Sequence, residues 1–181
     1  VIQLHDEIRP DARTALTLLQ DMGAAASIIS GDNIGSVSRV GTVLGLTAQA
    51  AASPQDKVEA IARLSADGHK VLMVGDGLND GPALAAAHVS IAPGTASDVG
   101  QQAADAVFTS DSLMPVALSI RVARRTMQIV HQNFALAIGY NIFAVPLALT
   151  GMVTPLIAAI AMSLSSLIVV GNALRLNGAA R

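Results

Sequence analysis

Residues 75–84 read Gly75-Asp76-Gly77-Leu78-Asn79-Asp80-Gly81-Pro82-Ala83-Leu84, directly after the apolar run Val71-Leu72-Met73-Val74. The run 71–74 reads as a strand and 79–87 as a short helix. Asp76 therefore falls at the carboxyl end of a strand, with Asp80 four residues on. Gly75 and Gly77 let the backbone approach a ligand closely and leave its N–H groups free. Magnesium is a hard, octahedral ion, held by one or two carboxylates together with phosphate oxygens and water. Asp76 can be a direct ligand, Asp80 can bind the metal or its waters, and Asn79 can orient a phosphate or a water. A plain strand-to-helix turn with an Asn-Asp cap would explain a bare GDG, but the whole ten-residue pattern is far more specific.

Working outward, the same alternation continues on both sides. Apolar strands are expected at 1–4, 26–29, 89–91 and 106–108. Helices are expected at 10–22, 34–44 and from Ser53-Pro54 to Gly68. Strands alternating with helices imply an α/β fold with a parallel sheet and right-handed crossovers. Ligands in such sheets sit at the carboxyl ends of the strands, where Ser30, Asp32, Asp76 and Asp80 all fall. Lys57, on the helix before the metal strand, can neutralise a phosphoryl oxygen; otherwise it is a solvated helix lysine. Ser30, in Ser30-Gly31-Asp32-Asn33, can donate a hydroxyl and an N–H to the same phosphate; otherwise it is a helix cap.

The 181 residues are 52% hydrophobic and 13% charged, and mean hydropathy is +0.54. Both values lean towards a membrane protein. No Asp, Glu, Lys or Arg occurs from Gln132 to Leu174, whereas residues 1–130 hold every acid and look like an ordinary soluble α/β sequence. A long helix is expected from Leu113, amphipathic at first and wholly apolar from Phe134 to Leu149. Gly151 and Pro155 bracket a turn, and a second apolar stretch follows. The two spans, about 132–150 and 155–175, approach the ~20 residues that cross a bilayer. Arg124 and Arg125 precede the pair and Arg175 and Arg181 follow it, which places both ends in the cytoplasm and the turn outside. The division expected is a phosphate-site domain over 1–112 and a coupling helix with a membrane hairpin over 113–181. A phosphate site joined to a membrane hairpin points to a pump rather than a soluble phosphatase. The net charge of −2 gives no nucleic-acid footprint. The absence of cysteine removes disulfides, thiolate metal sites and Cys nucleophiles from these residues. The chain opens without Met, part-way through an apparent strand, and reads as a fragment.

The order SGDN, PQDK, GDGLNDGPAL resembles the phosphorylation domain of P-type ATPases, which share the haloacid-dehalogenase fold. The resemblance covers essentially the whole chain. It implies a hydroxyl-donor role for Ser30, a phosphate-binding role for Lys57 and a magnesium-ligand role for Asp76, with Asn79 and Asp80 in support. It also implies nucleotide binding by Asp6 and Arg9, in Asp6-Glu7-Ile8-Arg9, and by Gly31 and Asp32. The implied cofactors are Mg2+ and ATP. The family's nucleophilic Asp, in DKTGT, does not occur here, nor do the TGE loop and the nucleotide-binding insertion. All lie upstream in the family, so the chain resembles its C-terminal quarter and is expected to be inactive alone.

In the spans, Tyr140-Asn141 with Pro146, and Met162 with Ser163, Ser165 and Ser166, are the polar or soft groups available to an ion. Met162 and Ser166, four apart, share a helix face. A thioether suits Cu(I), whereas a harder ion calls for a carboxylate. Taken singly, Met is often packing filler and Ser a helix–helix contact. Together the pattern resembles the last two helices of copper-exporting members, which implies a Cu(I) path through Tyr140, Asn141, Met162 and Ser166. HVSIAPGTA and VTPLIAAIAMS are further similar to bacterial copper pumps that serve cytochrome oxidase assembly. The localisation implied is a multi-pass protein of a bacterial inner membrane, its phosphorylation domain in the cytoplasm, with membrane lipid and the missing N-terminal part of the pump as partners. Alternatives are a zinc or cadmium pump, a truncated non-catalytic membrane protein that binds metal or a partner, and a membrane-tethered phosphatase.

Overall fold

A computed structural model describes residues 8–76, 79–151 and 153–178. The strand expected at 1–4 and Asp6 lie outside the described residues, as does Gly77. The chain divides into two compact units, Val1–Ala117 and Leu118–Arg181.

The first unit runs α1 (Ala12–Asp21), β1 (Ser27–Ile29), α2 (Ile34–Leu44), β2 (Thr47–Gln49), α3 (Pro54–Ala66), β3 (Leu72–Val74), α4 (Gly81–Ala86), β4 (Val89–Pro93), α5 (Asp98–Ala103) and β5 (Ala106–Phe108). It is an α/β architecture in which every strand pairing among the described residues is parallel. β1 pairs with β2, and β3, β4 and β5 form a second sheet in that order. The expected parallel sheet thus comprises two pieces among the described residues. β4 is central and reads accordingly, with Ser90, Ile91 and Ala92 all buried. Ile91, Phe108 and Val116 form a buried cluster, with Leu72 and Leu113 packed against it. The polar Ser90 is admitted to the core because Asp105 answers it: Oδ2 accepts from the Ser90 hydroxyl at 3.0 Å and from its N–H at 2.8 Å.

Local chemistry sets the helix ends. Asn33 caps α2 through a bond from the Ser36 N–H, and Gly45 closes that helix at φ 69, where a side chain would be strained. Ser53 and Asp56 form a reciprocal capping box at α3, with Pro54 in its first turn. Both features fix the helices that flank the candidate phosphate site.

α6 (Met114–Leu149) starts in the first unit and continues into the second, where α7 (Pro155–Leu174) and a 3-10 turn (Arg175–Gly178) follow. Both helices are long and apolar enough to cross a membrane, at mean hydropathy 1.3 and 2.0. Their apolar side chains stand exposed, among them Phe143 at 78% and Leu149 at 83%. Thr154 caps α7 and Pro155 occupies its first turn. At the far end of α7, Asn172 Nδ2 donates to Asn133 Oδ1 at 2.9 Å and to Gln132 Oε1 at 3.2 Å. Arg175 in turn donates to Asn172 Oδ1. This carboxamide cluster joins the two helices where their charge-free stretch begins and ends.

Candidate functional site

α3 carries Lys57 in its first turn, and the capping box orients that turn. Lys57 is buried, and its Nζ lies 2.5 Å from Asp80 Oδ1. The two side chains are only 9% and 14% exposed, so water screens the pair weakly. Lys57 is therefore no solvated helix lysine. Asp80 stands at the N-cap position of α4 but makes no side-chain capping bond; its carboxylate turns to Lys57 instead. Gly75 makes room for it, because a Cβ there would lie 2.8 Å from Asp80 Oδ2. Asp76 follows at the end of β3, with its side chain exposed. Its backbone is held by the Ser97 N–H, which donates to the Asp76 carbonyl at 3.1 Å. Asn79 is also exposed. The charged groups here are the exposed Asp76 carboxylate, the second oxygen of Asp80 and the buried Lys57 ammonium. Among the described residues no three His, Cys, Asp or Glu side chains cluster to hold a metal.

Ser30 lies at the carboxyl end of β1. Its hydroxyl donates to Asp32 Oδ2 at 3.1 Å and accepts from the Asp32 N–H at 3.2 Å. The loop 30–32 is stitched to 51–52, the segment that leads into α3: Ala52 N–H donates to the Ser30 carbonyl and Ala51 N–H to the Asp32 carbonyl. The Ser30 loop thus adjoins the segment that leads into α3, the helix that carries Lys57. Gly31 permits this approach, since its Cβ would lie 3.3 Å from the Ala52 carbonyl oxygen. Ala51 adopts φ 52, the one described non-glycine residue in the left-handed region. This costs an L-residue about 1 kcal/mol. Arg9 Nη1 donates to the Asp111 carbonyl. Asp11, not singled out in the sequence, accepts at Oδ2 from the Ser112 hydroxyl at 2.7 Å, the Leu113 N–H at 2.7 Å and the Met114 N–H at 3.2 Å. By position it is the N-cap of α1, which is how a sequence displays it; its side chain makes no cap bond there.

In the second unit, Asn141 Nδ2 donates to the Ala137 carbonyl and the Ser166 hydroxyl to the Met162 carbonyl, each one turn back on its own helix. Met162 is 66% exposed and Tyr140 37%. Among the described residues no hydrogen bond joins Tyr140 or Asn141 to Met162 or Ser166. Pro146 lies within α6 and has no N–H to give to the Ile142 carbonyl.

Residues 1–88 match the family of haloacid dehalogenase-like hydrolases. Over 174 residues, 96% of the chain, the sequence is 56% identical to the nitrogen fixation protein FixI of Rhizobium leguminosarum bv. viciae. It is 44% identical, over 97% of its length, to a copper-exporting P-type ATPase of Mycobacterium tuberculosis. Its fold superposes on the crystal structure of a zinc-transporting PIB-type ATPase in the E2.Pi state with a TM-score of 0.89. That match covers 98% of this chain and 29% of the other at 36% identity. The chain matches the heavy-metal P-type ATPases. It corresponds to a C-terminal region of such an ATPase and spans 23% of the length of either curated relative. The superposition takes in the hairpin as well as the α/β unit, so the P-type ATPase likeness does not rest on the hydrolase fold alone.

Proposed function

We propose that this chain is part of an ATP-driven pump that moves Cu(I) across a membrane, with energy delivered through an aspartyl phosphate. The observation that carries the reading is the buried Lys57–Asp80 pair beside Asp76 at strand carboxyl ends, in a chain whose two long helices hold no acid. ATP would phosphorylate an Asp supplied by sequence outside these 181 residues. Magnesium, when bound, would neutralise charge on the transferring phosphoryl group.

Each residue then has a defined task. Asp76 offers its exposed carboxylate as the magnesium ligand. Lys57 presents an ammonium to a phosphoryl oxygen, and Asp80 holds that ammonium in place while its other oxygen serves the metal or its waters. Ser30 turns its hydroxyl from Asp32 to a phosphate oxygen, and Asn79 orients phosphate or water. Asp6, Arg9, Gly31 and Asp32 contribute to the nucleotide side. The α/β unit lies in the cytoplasm, and α6 and α7 cross the bilayer, in a bacterial inner membrane.

For the cargo, the support is chemical. α7 presents Met162 and Ser166 one turn apart and offers no carboxylate, which favours a soft monovalent ion over a divalent one. Zinc remains the second reading, supported by the fold match to a zinc-transporting ATPase. Stimulation of ATP hydrolysis in the full-length protein decides between them: Cu(I) is expected to stimulate and Zn(II) not. Stimulation by Zn(II) alone would reverse the assignment. Met162→Ala with unchanged Cu(I) transport would remove that side chain from the path.

A further inference from the structure

The first four N–H groups of a helix have no partner inside it. At the root of α6 a local solution is already present, because the Ser112 hydroxyl accepts from the Met114 N–H at 3.0 Å. Yet Asp11, about a hundred residues earlier in the chain, adds its carboxylate to that amide, to the Leu113 N–H and to the Ser112 hydroxyl. Arg9 holds the preceding Asp111 carbonyl. The Met114 N–H already has a local acceptor, so a partner this distant does more than satisfy donors: it fixes the helix start to α1. A negative group at a helix N-terminus is also favoured by the helix dipole. The apolar side of the same root is held too, by Leu113 and Val116 in the cluster with Ile91 and Phe108. The root is therefore gripped by the strands on one side and by the start of α1 on the other. α1 leads straight to β1, whose end carries Ser30.

We propose that Asp11 is a positioning residue that clamps the root of α6 to α1, so that movements of the phosphoryl-transfer unit are passed to the helix that bears Tyr140 and Asn141. The role rests on the pump reading given above. Without the clamp, phosphorylation would proceed while the helix root slips, and ATP would be consumed with less ion moved.

The test uses the full-length protein in vesicles, with Asp11→Ala, Asp11→Asn and Ser112→Ala. Phosphoenzyme from labelled ATP, ions transported per ATP, and amide hydrogen exchange over residues 111–117 are measured together. Asp11→Ala is expected to keep its phosphoenzyme level, to lose transport per ATP several-fold, and to exchange roughly tenfold faster at Leu113 and Met114. Asp11→Asn keeps an acceptor oxygen and is expected to restore coupling and protection, which a requirement for bulk charge would not allow. If Asp11→Ala does not fold, Ser112→Ala, which removes one donor and leaves the phosphate site alone, carries the same comparison with a smaller effect. Unchanged transport per ATP or unchanged exchange in the variant overturns the clamp while the pump reading stands. A wild-type protein that forms no metal-dependent phosphoenzyme overturns the pump reading and the coupling role with it; the exchange data then report the clamp's geometry alone.

Discussion

At the scale of single residues, the proposed phosphate site is governed by one ion pair and one glycine. Removing either member of a nearly buried pair leaves the other charge desolvated. Lys57→Ala and Asp80→Ala are each expected to cost about 3 kcal/mol, while the paired replacement Lys57→Met with Asp80→Leu costs clearly less. Thermal unfolding of the four proteins, wild type included, checks this; equal losses for single and double variants would contradict it. Gly75→Ala drives a methyl group to 2.8 Å from Asp80 Oδ2. Asp80 must then move off Lys57, and a loss of about 2 kcal/mol is expected in the same assay. The sequence displayed Gly75, Asp76 and Asp80 plainly, because the spacing of acids and glycines is itself the signal. It did not display their partition into one free carboxylate and one committed to Lys57. Lys57 and Asp80 are 23 residues apart, and only the packing of α3 against α4 brings them together. Asp11 was hidden for a related reason: an Asp before a helix has a local explanation, and its true partners are about a hundred positions away.

At the scale of elements, helices α1 to α3 and the two long helices were legible from capping residues and periodicity. β2 and α5 were not. β2 is Thr-Ala-Gln with all three residues exposed, so no apolar alternation marks it. α5 is a six-residue helix, too short for a period to show. β1, expected as an apolar strand, is exposed at Ser27 and half-buried at its isoleucines, as a strand in a two-stranded piece must be. Helix ends also carry the acid sensitivity. The Ser112 hydroxyl, then the Leu113 and Met114 amides, hold Asp11 below its ordinary 3.8, outweighing the opposing effect of burial. The Ser53 hydroxyl and N–H do the same for Asp56. Each carboxyl binds its proton less readily folded than unfolded, so its stabilisation is complete above the unfolded value and is lost as pH falls through the folded one. The melting temperature is therefore expected to hold from pH 7 to about pH 5 and to drop below pH 4. Asp56→Asn should flatten part of that drop, and an unchanged acid limb would contradict the assignment. Ser53→Ala, which opens the capping box, is expected to cost about 1 kcal/mol at neutral pH.

At the scale of the whole molecule, an α/β unit with part of a proposed phosphoryl-transfer site is continuous, through α6, with a hairpin that has no charge over its apolar stretch. The composition break at Gln132 made the two kinds of sequence legible at once. The side-chain commitments of the hairpin were not legible, since Asn141 and Ser166 bond their own helices and await no partner visible in a sequence. The isolated chain is expected to take no label from ATP, because DKTGT does not occur in it; a labelled band from the isolated chain would contradict the account. The central claim is that Asp76 and its neighbours serve magnesium-dependent phosphoryl transfer in a larger pump. Its most direct test is acid-stable labelling of the full-length protein by γ-labelled ATP, with and without magnesium, in wild type and in Asp76→Asn. The account predicts a magnesium-dependent phosphoenzyme in wild type and its loss in the variant. Equal labelling of the two proteins at every magnesium concentration would contradict it.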